Sequence, residues 1–577
     1  MFVRSKKSGR HTYLQIVESR WEAGKVRQQV IGTLGRSDRL VGSGDLERLL
    51  ASMAKFVDHA MVIGTHREGQ STTISAERIG LPLIFERLWR DIGCRAVLER
   101  LLGGRKFEFA VERAVFLTVL HRLVAPGSDR AADKWQRDYR IDGAEELALH
   151  HLYRTMSWLG EELADQTDHT HGPRTTKDLI EEGLFRERRD LFTDLSVVFF
   201  DTTSFYFEGE GGETLGEFGH SKDHRPDRHQ MILAVITDDE GRPVCSEMWP
   251  GNTADVTALL PVVDRLRRRF GVNRVCVVAD RGMISADTIK ALEDRRLEYI
   301  LGARERTSRE IQDKVLPDMT QPVSIEIPRS RPDRQDIELA IRETVVDGRR
   351  YITCINEAEA AKDAAARAAV LEQLQRALKA GDKALLANRA YKRYLKTPDQ
   401  PGFTIDPDRV TADARFDGLY VLRTNAKLSA VQVALQYRQL WKIEKIFRAE
   451  KSLLDTRPIF HQRDATIRGH VFCSFLALVL RKELEDRLAA KEMRFEWADI
   501  VQDLDRLQEV TVEQGGKRFL LRTATTGVCG KVFQATGVAL PPTVRQVSLP
   551  PPQSEGETSG DFGENLVPSP GASSVTN

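Results

Sequence analysis

Apolar positions change rhythm along the chain. From residue 46 to about 190 they recur every three or four positions, as in Leu46, Leu49, Leu50 and Met53, and later Phe109, Val111, Ala114, Val115, Leu117 and Leu120. That spacing predicts helices, punctuated by Gly103-Gly104 and Pro126-Gly127. From residue 195 short β-branched and aromatic runs take over. Residues 195–201, 230–237 and 241–249 predict three strands, with 238–241 as the turn between the last two. Helical periodicity returns at 255–270. A buried-type strand at 274–280, a helix through Leu292 and a strand at 298–302 complete the order β-β-β-α-β-α-β, a mixed α/β sheet.

Residues 303–428 interrupt this pattern. They hold strand-like runs at 323–327, 337–345 and 351–355, then an Ala-rich helix at 358–380 that ends at Gly381. A second helix, 382–395, interleaves Lys383, Arg389, Lys392 and Arg393 with Tyr391 and Tyr394. Such a mixture suits either a solvated face or a nucleic-acid groove. Long helices are expected at 429–454 and 465–490. At the other end, 12–17 and 25–31 read as two strands around the turn Glu22-Ala23-Gly24. The last 37 residues carry seven of the chain's 22 prolines and few apolar positions, and are expected to be disordered.

Length and charge refine the picture. A chain of 577 residues has room for about three to five domains. Its 86 basic and 85 acidic residues exclude a polybasic binder, yet nine Lys/Arg stand against three acids in residues 1–40. That basic entry segment suits either a small solvated β-element or a DNA-facing ribbon. The six cysteines include no C-x-x-C, which argues against a zinc ribbon or a disulfide framework. Val471 to Leu480, the longest apolar helical run, is too short to span a bilayer. A cytoplasmic location is expected.

Two of the predicted strands share a design: an apolar run that delivers a carboxylate, VVFF-Asp201 and CVVA-Asp280. Carboxylates that share a site repel unless one is protonated or a cation lies between them. Oxygen-rich sites select hard cations such as Mg²⁺ or Mn²⁺. A third element is the helix around Glu444. Tyr437, Glu444 and Lys451 are seven apart, close to two helical turns, and Arg448 lies one turn from Glu444. A phenol, a carboxylate and two cations on one stripe suit a metal-bound phosphodiester; an amphipathic helix with a Glu444–Arg448 pair is the plainer account. His220, His224 and His229 have the residue type of a zinc site, but Lys222, Arg225 and Arg228 among them favour phosphate over a cation. No phosphate-binding or dinucleotide glycine loop is present.

These motifs together resemble the DDE transposases of bacterial insertion sequences, in the branch whose catalytic glutamate lies in a Tyr-x2-Arg-x3-Glu-x6-Lys signature. Tyr437, Glu444 and Lys451 match at that spacing, while Leu440 stands at the arginine position. The runs VVFFDTTSFYFEG and VVADRGMIS resemble the family's two aspartate motifs, and GHSKDHRPDRHQ and RPIFHQRDATIRGHVF also resemble family segments. The resemblance implies an RNase H-like core split by an insertion domain, preceded by an N-terminal β-hairpin and a helical DNA-binding region. It implies Asp201, Asp280 and Glu444 as catalytic residues that hold two Mg²⁺ or Mn²⁺ ions. DNA contacts are expected from Tyr437, Lys451, Arg448, Lys222, Arg225 and Arg281, with Arg448 or Arg438 standing in for the missing arginine. No Trp falls in 303–428 to capture a flipped base, so Tyr391 or Tyr394 is the candidate there.

The expected divisions are a basic hairpin and helix (1–60), a helical region (61–190), the first part of the core (191–302), the insertion (303–428), the second part of the core with C-terminal helices (429–540) and the tail (541–577). The expected function is cleavage of element ends and transfer of their 3′ ends to target DNA, by a homodimer that pairs two inverted repeats. The alternatives are an RNase H-fold nuclease without strand transfer, and a catalytically dead DNA-binding derivative.

Overall fold

The computed structural model describes residues 2–22, 25–46, 48–49, 71–166, 172–188, 197–271, 276–283, 285–318, 320–327, 336–380, 389–396, 403–514 and 517–547. The chain divides into two compact units, one of 1–76, 509–524 and 541–577, the other of 77–508 and 525–540.

In the first unit, β1 (Phe2–Ser8), β2 (His11–Glu22) and β3 (Lys25–Arg36) form an antiparallel sheet in that order. The strands are longer than the apolar pattern at 12–17 and 25–31, and Phe2–Ser8 is an additional one. Backbone pairing continues through polar residues wherever a partner strand lies alongside. A second sheet has the order Val544–Val547, Lys517–Arg522, Gln508–Gln514 and β4 (Ser71–Arg78). Val544–Val547 corrects the expectation of a wholly disordered tail: it is paired, and Arg545 meets Glu509 at 2.8 Å. The rest of that tail, and most of the helix expected from Leu46 to Met53, lie outside the described residues.

The larger unit begins with helices Gly80–Asp91, Cys94–Leu102, Val111–Val124, Asp129–Trp135, Leu149–Leu159 and Thr176–Glu187. Val111–Val124 is buried nearly all round, Glu112, Arg113, His121 and Arg122 included. A helix buried on every face is a core helix and leaves no face to read a DNA groove. It packs, with Leu149–Leu159, on the 26-residue helix Asp464–Ala489. The two backbones almost touch at one crossing, where a Cβ added to Gly469 would stand 2.0 Å from the Met156 carbonyl oxygen.

The core sheet follows as β5 (Val197–Tyr206), β6 (Gln230–Thr237), β7 (Pro243–Pro250), β8 (Cys276–Ala279) and β9 (Glu298–Gly302). β5, β6 and β7 are antiparallel neighbours, whereas β8 lies parallel to both β5 and β9. Every residue of β6 is buried, which is why it reads as an unbroken apolar run. Alternate residues of these strands feed two cores. Val198, Phe200, Val277 and Ala279 pack with helices Asp255–Phe270 and Ala286–Asp294. Phe199, Phe205, Cys276 and Val278 face the core that contains helix Asp464–Ala489.

β10 (Val323–Ile327), β11 (Ile337–Val346) and β12 (Arg349–Ile355) precede helix Glu357–Ala380, the short pair β13 (Leu395–Lys396) and β14 (Thr404–Ile405), and β15 (Leu419–Thr424). β15 pairs antiparallel with β9, so the sheet has nine strands in the order β10-β11-β12-β15-β9-β8-β5-β6-β7. The 303–428 segment therefore lengthens the core sheet. Of the basic helix expected at 382–395, the described part is one turn, Arg389–Lys392. Tyr394 is fully buried and donates to Asp413 at 2.6 Å, so it offers no platform for a base.

A set of buried charges joins Thr176–Glu187 to β7 and Asp255–Phe270. Lys177 Nζ lies 3.0 Å from Asp178 and 3.3 Å from Glu181, and donates to the Ser246 carbonyl at 2.6 Å. Arg269 meets Glu181 at 2.7 Å, Glu182 at 3.0 Å, Asp178 at 3.1 Å and Glu247 at 3.2 Å. Arg265 adds a further pair with Glu247. Burial works to raise Asp178, but Lys177 and Arg269 hold its carboxyl below the usual range; in Glu181 burial prevails and pushes the carboxyl up.

Candidate active site

Asp201 is the fifth residue of β5, and Asp280 directly follows β8. The parallel register pairs Phe200 with Ala279, so each carboxylate comes one residue after the same rung of the ladder. The period of two along a strand then decides the face. Asp201 shares the side of Phe199 and Phe205, and Asp280 that of Cys276 and Val278, which is one and the same side of the sheet. Helix Trp441–Arg448 packs against β5, with Ile443 and Phe447 in that same core and Glu444 exposed. Register and parity thus bring the two aspartates together and set the Glu444 helix over the face they share.

Charge in the site is unbalanced. Burial pushes the Asp201 carboxyl up to about 6; the negative fields of Asp280 and Asp255 add to this, while Lys222 and the Thr202 N–H oppose it. Thr202 N donates to Asp201 Oδ1 at 2.7 Å. Asp255, the first residue of helix Asp255–Phe270, did not stand out in the sequence. Its Oδ1 accepts from Thr202 Oγ1 at 2.6 Å and its Oδ2 lies 3.0 Å from Lys222 Nζ. Lys222 also donates to the Thr202 carbonyl and hydroxyl, both at 2.8 Å. Asp201 and Asp280, two carboxylates on one face with the first resisting ionisation, have the donor chemistry to hold hard divalent cations.

The expected DNA-contacting residues are placed differently from one another. The helix expected at 429–454 is two helices, Ala430–Arg438 and Trp441–Arg448, followed by a wide turn at Ala449–Leu453. Bonds from Gln439 N to Gln436 O and from Leu440 N to Tyr437 O tighten the chain between them, so the seven-residue stripe is not straight. Tyr437 donates to Asp280 Oδ1 at 2.9 Å and stacks on Tyr420, and burial pushes its phenol far up. Gly302 makes room for that phenol, since a Cβ there would lie 2.3 Å from the Tyr437 oxygen. Lys451 pairs with Asp223 at 2.7 Å. Arg225 pairs with Asp227 at 2.9 Å and lies over Tyr206, Arg281 is exposed 3.5 Å from Glu305, and Arg448 is exposed.

Among the described residues, the group with three ligand-type atoms within 4.8 Å of one another is Asp129, His461 and His470; His220, His224 and His229 form no such group. Arg122 donates to His470 Nδ1 at 2.8 Å and lies 3.5 Å from Asp129, while His470 Nε2 faces the Thr456 carbonyl at 3.0 Å. A guanidinium already fills that cluster, which makes it a hydrogen-bonded joint.

Glu450, beside Lys451, is fully buried and neither of its oxygens meets a donor. Burial pushes its carboxyl up to about 8 from an ordinary 4.5. An acid raised on folding does no harm while it is protonated in both states; stability falls as pH rises from the unfolded to the folded pKa. Glu450→Gln is expected to stabilise the fold by on the order of 2–4 kcal/mol above about pH 8, and by far less near pH 5. Thermal melts of both proteins at the two pH values check this, and an equal gain at both would contradict it.

A family model described as Transposase DDE domain matches residues 192–480, just over half of the 577-residue chain. A second, IS1634 family transposase, N-terminal domain, matches residues 2–62. No curated protein matches the chain. Among solved structures, it is similar to a Mos1 transposase paired-end complex with left transposon end, at 12% identity over 35% of this chain and 64% of that one, with a TM-score of 0.14. A pre-cleavage Mos1 transpososome gives 11% identity, 34% and 61% coverage and a TM-score of 0.13. The chain thus covers just under two thirds of either Mos1 chain.

Proposed function

We propose that this protein, which belongs to the transposase DDE domain family, binds the inverted-repeat ends of an insertion sequence, cleaves them in a metal-dependent reaction and joins the 3′ ends to target DNA. The observation that carries this reading is the in-register placement of Asp201 and Asp280 on one sheet face, under the helix of Glu444. The strand order β7-β6-β5-β8-β9, with three antiparallel strands and two parallel ones, supports an RNase H-like core.

Asp201, Asp280 and Glu444 would hold two Mg²⁺ or Mn²⁺ ions. Such ions, when bound, activate the attacking oxygen and stabilise the leaving one in an in-line displacement. The protein's own groups orient the reaction. Tyr437 donates to Asp280 Oδ1 and so fixes that carboxylate. Water is the nucleophile of the first step and the freed 3′-hydroxyl that of the second, so no side chain need become covalently attached. Two copies of the chain would bring the two ends together.

The test is incubation of the purified chain with Mg²⁺ and DNA that carries the inverted repeats flanking its coding region. Nicked ends followed by joined products are expected. Cleavage without joining would favour the nuclease alternative, and binding without cleavage the inactive derivative.

A further inference from the structure

The connection between β5 and β6 carries two adjacent residues of opposite charge, and each fills a polar site of the opposite sign. Lys222 occupies the acidic one: its ammonium lies 3.0 Å from Asp255 and contributes a favourable field to Asp201. Asp223 occupies a basic one. Its side chain is 4% exposed, and its Oδ1 takes both Lys451 at 2.7 Å and Arg457 at 3.3 Å.

That basic site is under-filled. Asp223 Oδ2 meets no donor, and neither does Arg457 Nε any acceptor, although both are buried. A buried carboxylate held by one oxygen alone forfeits part of what desolvation costs it. Aromatic rings brace the surrounding cations, with Lys451 5.9 Å from the Phe205 ring centre and Arg457 and Arg225 5.7 Å and 5.2 Å from that of Tyr206. A phosphodiester presents more oxygens than a carboxylate and accepts two parallel bonds from a guanidinium. It would use the Arg457 edge that Asp223 leaves idle.

We propose that Arg457 completes, beside the Lys451 already expected to contact DNA, a binding site for a DNA phosphate, and that Asp223 fills it as an internal substitute until DNA displaces the loop. The proposal rests on the transposase reading and deepens it. Because Lys222 and Asp223 are neighbours in the chain, about 3.8 Å apart at Cα, a loop that withdraws Asp223 also draws Lys222 away from Asp255. Occupation of the basic site by DNA and exposure of the acidic site to cations would then be one event.

The test uses the full chain and a fluorescent duplex of about 30 base pairs in EDTA, read by anisotropy across a salt series. Asp223→Asn is expected to bind about 5–10-fold tighter than the parent, with the log–log salt slope steeper by about one. Arg457→Gln in the same background should abolish that gain, and Glu210→Gln, an exposed acid in the same connection, should shift affinity less than about twofold. A folded Asp223→Asn with parental or weaker binding overturns the proposal. If Asp223→Asn does not fold, Arg457→Gln alone decides: a several-fold loss with a shallower salt slope supports the site, and parental affinity removes it. Failure of the parent to bind DNA at all sinks the transposase reading and this inference with it, whereas binding by the parent without a gain in Asp223→Asn sinks this inference alone.

Discussion

Asp201→Ala, Asp280→Ala and Glu444→Ala are each expected to lower Mg²⁺-dependent strand cleavage by on the order of 10³-fold or more, with the fold intact. The size of the expected effect follows from the proposed site, in which the three groups would act as a unit. The strand register sets Asp201 and Asp280 side by side, and helix Trp441–Arg448 lies over the same face. On that reading, removing any one carboxylate would leave the others one ligand short, so double variants should fall scarcely below single ones. Stability should move the other way at Asp201, whose carboxyl is held above its ordinary range by desolvation, with Lys222 opposing this and Asp280 and Asp255 adding to it. Its alanine variant is expected to melt no lower than the parent while cleaving at the background rate. A 3′-labelled end substrate on a sequencing gel, with melting curves in parallel, gives both readouts; parental cleavage by any of the three would remove that residue from the site.

Arg269→Met is expected to destabilise the larger unit by about 3–5 kcal/mol, the usual result of removing one partner from a buried charge set. Arg269 meets four carboxylates within 3.2 Å, and Lys177 with Arg265 cannot neutralise them all. Arg269→Lys keeps the charge but not the fork that reaches several oxygens at once, so an intermediate loss is expected. Urea unfolding followed by far-UV circular dichroism tests the order parent, Lys, Met. If Met unfolds with the parent, the network is no brace. Such a result would also mean that helix Thr176–Glu187 is held to β7 by apolar contacts alone.

The core strands were legible because both of their faces are covered: β6 and β9 run where their apolar residues run. Asp201 looked like a strand terminus, yet β5 continues to Tyr206, since Thr202 to Tyr206 are themselves good strand residues and pair with β6. Asp201, Asp280 and Glu444 stood out as residues, but the face that the two aspartates share did not show as a place. That needed the register between β5 and β8, which no local pattern encodes. Asp255 was missed because an Asp at a helix start is usually a cap, and only its bond to Thr202 shows otherwise. Asp223 and Arg457 were missed because their pairing spans more than 200 residues of chain. The break between Tyr437 and Trp441 was hidden for a different reason: Gln439 and Leu440 are good helix formers, and tertiary contacts of Tyr437 override their propensity.

The pairing of β15 with β9 has a consequence for how this protein changes over time. The chain leaves the core after Gly302 and comes back at Leu422, directly across one ladder rung. Exit and return share a neck, so whatever grows or shrinks between them does so without moving the frame. From that neck it is a short step to Ala430–Arg438 and then to Glu444. New segments in the loops of 303–418 can be tried, lost or exchanged while Glu444 keeps its address.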